Sequence, residues 1–364
     1  MMKTLRRWQD RSFGRGSAVI PAPVFDGALK PNQLLQEAEV CCSLEQPEDL
    51  ATDGRSLYLA DGSTVIRVSD DGVRERVLDV GRPITGLACV QGGFAVALEG
   101  SEVRVMGGHF DGRRFTEVNG RRLHAANALV TDGDRLIVTD GSALRPYTQW
   151  RHDLMESNRA GRVCALDLST GGSSQIADGL GYAFGAAAFK GSLLVSESWR
   201  HRLSVVLASG EVQEVIGQLP GYPSRLTPAS GGGYWMTVFC CRTQLVEFVL
   251  REPAYRQRMI DTVDPDLWIS PQLSTWRSFH EPLQYAGLKQ VGVVKPWAPP
   301  RSYGLVVRLD ANGLPRYSFH SRAGGTFHGI VAAVEVGRYL YMLSKGAKLL
   351  LRLEVEKAEM KVTP

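Results

Sequence analysis

One stretch of the chain is written twice. Residues 49–63 read DLATDGRSLYLADGS and residues 128–142 read ALVTDGDRLIVTDGS, with eight of fifteen positions identical at an offset of 79. Each copy is a short strand, an Asp-Gly turn and a second strand ending in Asp-Gly-Ser. Asp-Gly supplies the positive φ that a tight hairpin needs. The alternation of Leu57 and Leu59, or Leu136 and Val138, marks one buried face. The offset is about two periods of the roughly 40–45 residues of a four-stranded propeller blade.

Weaker copies centre on Phe94, Leu193, Trp235 and Leu340. Six units predict an all-β fold, a six-bladed β-propeller, whose closure removes the exposed sheet edges of an open array. The inner strands are expected to begin near Glu48, Gly86, Asn127, Gly185, Ser224 and Gly329. The expected organisation is a basic tail over 1–30 and one propeller domain over 31–364.

Two segments break the rhythm. Residues 143–160 carry Arg145-Pro-Tyr-Thr-Gln-Trp150, and residues 252–302 hold seven of the 18 prolines and three of the seven tryptophans. The second is expected to be a helical and irregular lid in the fifth blade, capping the channel. A helix is predicted with Ser270 as N-cap, Pro271 at its first position and Pro282 as its stop. It would present Leu273, Trp276 and His280 on one face. Trp276 and His280 are thus candidate substrate-binding residues.

Composition narrows the function. Lys and Arg total 42 against 38 Asp and Glu, a net charge of +4. Residues 1–17 already contribute five cations against one acid, so the rest balances, which argues against nucleic acid as a partner. No run of about 20 apolar residues predicts a transmembrane span. The basic start lacks the apolar core of a signal peptide. Six cysteines show no CxxC spacing, so free thiols and a cytoplasmic location are expected.

Glu48 and Asn127 stand at the starts of inner strands. Such oxygen donors suit Ca²⁺ or another divalent cation, though a complete site needs more ligands. His328 lies near the start of the sixth inner strand and is a candidate acid–base group.

These units, with Pro47-Glu-Asp-Leu-Ala51, Glu156-Ser-Asn-Arg-Ala-Gly-Arg162, Ser196-Glu-Ser-Trp-Arg-His-Arg202, Leu219-Pro-Gly-Tyr-Pro223 and Tyr303-Gly-Leu-Val-Val-Arg-Leu-Asp310, resemble the strictosidine-synthase-like branch of six-bladed propellers, related to the gluconolactonase/senescence-marker and paraoxonase families. The resemblance covers most of residues 45–356. It implies a small-molecule site at the channel mouth. It also implies that Glu48 and Asn127 match two ligand positions of metal-dependent relatives, while Phe184 and Ser224, followed by Arg225, replace two others. Val331 falls where the condensing enzymes carry a general-base Glu.

The leading expectation is therefore a divergent lactone or ester hydrolase with an incomplete metal set. There Glu48 and His328 would be catalytic, and Phe184, Ser224, Arg225, Trp276 and His280 would bind substrate. The alternatives are a non-catalytic propeller for an apolar or anionic small molecule, built around Phe184 and Arg225, and a Pictet–Spengler condensing enzyme, which Val331 disfavours.

Overall fold

The computed structural model describes residues 23–69, 72–274, 289–290, 293–294 and 302–362. Among them, six four-stranded antiparallel sheets follow one another around a ring. The inner strands of blades 1 to 6 are Pro47–Thr52, Ile84–Val90, Ala126–Asp132, Ala183–Phe189, Gly221–Pro228 and Ile330–Val336. They fall where the sequence placed them. The sixth repeat unit supplies only three strands. Its fourth is the amino-terminal strand Glu39–Ser43, which pairs with Leu349–Glu354 and closes the ring.

The written repeat has a structural cause. Pro47 pairs with Asp61, and Ala126 with Asp140, so each aspartate ends a second strand beside the entry of an inner strand. The Asp61 carboxylate accepts the Glu45 N–H at 3.1 Å, and Asp140 Oδ1 accepts the Ala125 N–H at 2.7 Å. In blade 4, Glu197 reaches the Gly181 N–H at 2.9 Å. The next backbone N–H repeats in all six blades: those of Gly62, Glu99, Gly141, Ser198, Arg242 and Lys345 donate to the carbonyls of Gln46, Pro83, Ala125, Tyr182, Pro220 and Gly329. Asp61→Ala strips two exposed N–H groups of their acceptor and is expected to cost about 1 kcal/mol, read by urea denaturation.

Strand 2 of each blade returns antiparallel to strand 1, so the segment joining strands 2 and 3 lies at the end where inner strands begin. Both long insertions use this connection. In blade 3 it carries the helix Trp150–Met155. In blade 5 it runs from Cys241 to Leu305 and holds the helices Gln244–Arg251 and Pro253–Thr262. The lid thus starts ahead of residue 252. Thr243 caps the first helix by accepting the Val246 N–H at 3.2 Å, and Pro253 takes the first position of the second, where its missing donor costs nothing.

Two expectations change. Pro271–Ser274 are not helical; the remainder of the predicted helix, with Trp276 and His280, lies outside the described residues. The packed body also extends ahead of residue 31. Phe25 is 2% exposed and stacks edge-on against His320 at 5.5 Å. Asn32 holds the same blade-5 strand, donating to the Ser318 carbonyl at 2.8 Å and accepting the His320 N–H at 3.0 Å.

Candidate functional site at the channel mouth

Arg225, on the fifth inner strand, reaches the ring axis. Its guanidinium donates to the carbonyls of Glu48 at 3.0 Å, Thr85 at 2.9 Å, Asn127 at 2.6 Å and Val331 at 3.4 Å. It also lies 5.2 Å over the Phe184 ring. One side chain therefore touches an element of every blade. Its charge is met by Asp49, 2.9 Å from Nε. Asp49 in turn accepts the N–H groups of Leu50 at 2.8 Å and Leu87 at 2.9 Å. Burial pushes the Asp49 carboxyl up to about 6, against the opposing pull of Arg225. Gly185, next to Phe184, permits the tight approach of blades 4 and 5: a Cβ there would stand 2.6 Å from the Ser224 carbonyl.

Glu48 sits one layer nearer the mouth, 7% exposed. Oε1 accepts the Tyr147 hydroxyl, and Oε2 forms an ion pair with the Lys345 ammonium. The Arg225 guanidinium is 3.8 Å from Oε1. Burial and the neighbouring Glu48 charge both push the Tyr147 phenol well above its ordinary range, so it stays a neutral donor. The floor behind them is aromatic: Trp150, Tyr182, Phe184, Trp199 and Phe239 surround a recess of about 20 Å³, room for about one water. In front opens a mouth of about 560 Å³ between the ring and the lid. Pro47, Pro83, Ile84, Trp150, Leu267 and Leu273 give it apolar walls, while Glu45, Glu48 and Asp266 face Arg151, Lys345 and Lys348.

The expected site residues fare unequally. Glu48, Phe184 and Arg225 converge at the axis. Arg225 is 5% exposed with its guanidinium spent on protein groups, which corrects the reading of it as a hook for an anionic ligand. Asn127 is fully buried; Nδ2 donates to the Ala183 carbonyl at 3.0 Å and Oδ1 accepts from Thr139 at 2.7 Å. The Ser224 hydroxyl turns away from the mouth to Thr237, 2.7 Å off. His328 does not join the site. Its Nδ1 accepts from the Ser302 hydroxyl at 2.7 Å, its Nε2–H donates to the Arg322 carbonyl at 3.1 Å, and burial lowers its basicity. Both nitrogens are committed away from the cavity that Glu48 lines, so the acid–base role expected of His328 has no geometry behind it.

A divalent cation does not fit these residues. Such an ion needs several free oxygens. Both Glu48 oxygens and both polar atoms of the Asn127 amide already have protein partners, and two cations stand beside the carboxylate. Among the described residues no cluster of three His, Cys, Asp or Glu side chains is placed to hold a metal.

Sequence reasoning missed Lys345, Tyr147 and Asp49. Lys345 had a trace: it occupies the repeat position of Gly62 and Gly141. Tyr147 lay inside the flagged 143–160 insertion, and Asp49 directly follows Glu48.

No family model matches the sequence. The adipocyte plasma membrane-associated protein of Danio rerio is 28% identical over 364 residues, covering 92% of this chain and 82% of its own length. Strictosidine synthase-like 6 of Arabidopsis thaliana is 25% identical over 331 residues, covering 86% and 80%. Among solved structures, a gluconolactonase from Xanthomonas campestris aligns with a TM-score of 0.55 at 16% identity, covering 91% of this chain and 96% of that one. Regucalcin from Agrobacterium tumefaciens, a calcium-binding protein, aligns at 0.51 and 9%, covering 87% and 92%. Among the described residues no helix is long and apolar enough to cross a membrane. Over most of its length this chain is a homologue of strictosidine synthase-like 6 and of the adipocyte plasma membrane-associated protein, and its six-bladed propeller shares its fold with the gluconolactonase and regucalcin.

Proposed function

We propose that the channel mouth binds a small, largely apolar molecule and does so without a divalent ion. The observation that carries this reading is the arrangement on Glu48. Lys345 and Tyr147 hold its carboxylate at the floor of a cavity of about 560 Å³, a size typical of small-molecule sites. The three acids and three bases lining that cavity cancel, which favours an uncharged ligand over the anionic one expected from Arg225.

Hydrolysis of a lactone or ester is the activity to test there. The likeness to a gluconolactonase motivates it, and the Glu48–Tyr147 contact supplies a proton acceptor and donor in the pocket floor. Condensation chemistry has less support. Val331 brings a hydrocarbon side chain and no base to the recess, and its carbonyl accepts from the Thr237 hydroxyl at 3.1 Å and from Arg225 at 3.4 Å.

The test is a panel of lactones and aryl esters, followed by thermal shift and by turnover, with EDTA and Ca²⁺ arms. Ligands are expected to raise the melting temperature, and Trp150→Ala is expected to weaken them about tenfold. EDTA and Ca²⁺ are expected to change neither readout. Stoichiometric Ca²⁺ binding that vanishes in Glu48→Gln would overturn the metal-free reading. A cytoplasmic location is supported by six free cysteines. Cell fractionation tests it, since the vertebrate relatives are named for the plasma membrane.

A further inference from the structure

Lys345 stands where blades 1 and 3 carry glycine, so the sixth blade projects a long cation at a position that is side-chain-free in those two. An ammonium has three donors. One meets Glu48 Oε2, and a second faces the Tyr147 hydroxyl at 3.4 Å. The side chain is 28% exposed and lines both the mouth and the aromatic recess, where it is the one charged residue among those lining the recess. The third donor is therefore left for an oxygen in the cavity. Arg225 cannot compete for that oxygen, because it is 5% exposed and both of its terminal nitrogens donate to inner-strand carbonyls.

We infer that Lys345 takes the place of a divalent ion as the group that receives the ligand's carbonyl oxygen, and that it thereby selects uncharged carbonyl compounds over carboxylates. The inference rests on the mouth being the ligand site. The selection follows from charge. Lys345 is already neutralised by Glu48, and Arg151 by Asp266, 2.8 Å apart. A carbonyl oxygen accepts a charge-assisted hydrogen bond and leaves this balance unchanged. A carboxylate at the same point adds an uncompensated negative charge beside Glu48 in a partly desolvated cleft. Lys345 is assigned here a positioning and specificity role, independent of whether the ligand is turned over.

Two probes of one shape separate the cases: 2-acetylnaphthalene and 2-naphthoate, titrated against the full chain by tryptophan fluorescence. The ketone is expected to bind at least about tenfold more tightly. Lys345→Met is expected to remove that preference, while Lys190→Met, at an exposed lysine that lines neither the mouth nor the recess, changes it less than about twofold. Difference infrared spectra supply a readout that a packing role would not move. The bound ketone's C=O stretch is expected at lower frequency in the wild type than in Lys345→Met, with Lys345→Arg restoring most of the shift. Equal binding of naphthoate, or an identical carbonyl frequency in wild type and Lys345→Met, would overturn the role of Lys345 while leaving the pocket standing. Failure of both probes to bind would remove the pocket reading and this inference together.

Discussion

Arg225→Met is expected to destabilise the protein by about 3–5 kcal/mol, the usual cost of breaking a buried ion pair from one side. The side chain is 5% exposed, and its loss has two consequences. Carbonyls of Glu48, Thr85, Asn127 and Val331 lose a donor on an axis that water does not freely reach. Asp49 is left without its cation. Its carboxyl already titrates upward, to about 6, because burial outweighs Arg225; without Arg225 it rises further. A carboxyl raised above its unfolded value favours the fold where it is protonated and penalises it as pH climbs through the folded value. The cost of Arg225→Met is thus expected to be larger at pH 8 than at pH 5. Adding Asp49→Asn is expected to recover part of the loss at pH 8. Urea denaturation of the two variants at both pH values measures this. A cost below about 1 kcal/mol, equal at the two pH values, would mean that Arg225 does not hold the axis together.

Arg225 also marks where sequence reading stopped. The ring was legible because the repeat is a local code: hairpin turns and alternating strands recur from blade to blade, and blades 1 and 3 add Asp61 and Asp140 at the same spacing. Ring closure was not legible in that way. Glu39–Ser43 pairs with Leu349–Glu354, about three hundred residues away, and carries no repeat of its own. The convergence of Glu48 and Arg225 followed from the ring. The direction of each side chain did not, because it depends on partners contributed by other blades. Ser224 and Arg225 are neighbours on one strand, so one faces Thr237 and the other the axis. His328 looked poised for chemistry because it precedes an inner strand, yet Ser302, from the far side of the insertion, takes its Nδ1. Lys345 went unremarked because a glycine-to-lysine exchange in a turn ordinarily reads as a solvated surface change.

Acidification from pH 7 to pH 5 is expected to weaken the fold, with the first opening at the amino-terminal strap over blade 5. His320 is fully buried between Phe25 and Tyr303, and its nitrogens lie 3.2 Å from the Tyr303 hydroxyl and 2.9 Å from that of Ser318. Burial lowers its pKa to about 3. An imidazole held neutral in the fold but free to charge near 6.5 when unfolded stabilises the native state fully above that value and loses the contribution as pH falls. Down to pH 5 this single group costs about 2 kcal/mol at about 1.4 kcal/mol per unit. His201 and His328 act in the same direction. Burial lowers both, helped at His201 by the Arg242 charge. Asp49 opposes them, since its raised carboxyl gains protons over the same interval and returns about 1 kcal/mol. Burial also raises Asp140 and Asp153, which side with Asp49, and lowers His152, which sides with the other imidazoles. The sign is set by the imidazoles, which take up protons in the unfolded chain across this whole interval, His320 most of all. His320→Asn is expected to flatten the stability curve between pH 7 and 5 by about 2 kcal/mol, and Asp49→Asn to steepen it. Hydrogen exchange at pH 5 is expected to show loss of protection first in residues 25–37 and 315–320, where Phe25, Asn32 and Ser318 hold the strap to the blade. Stability that rises on acidification, or exchange that begins instead at the axial strands, would show that the buried imidazoles do not govern the acid limb.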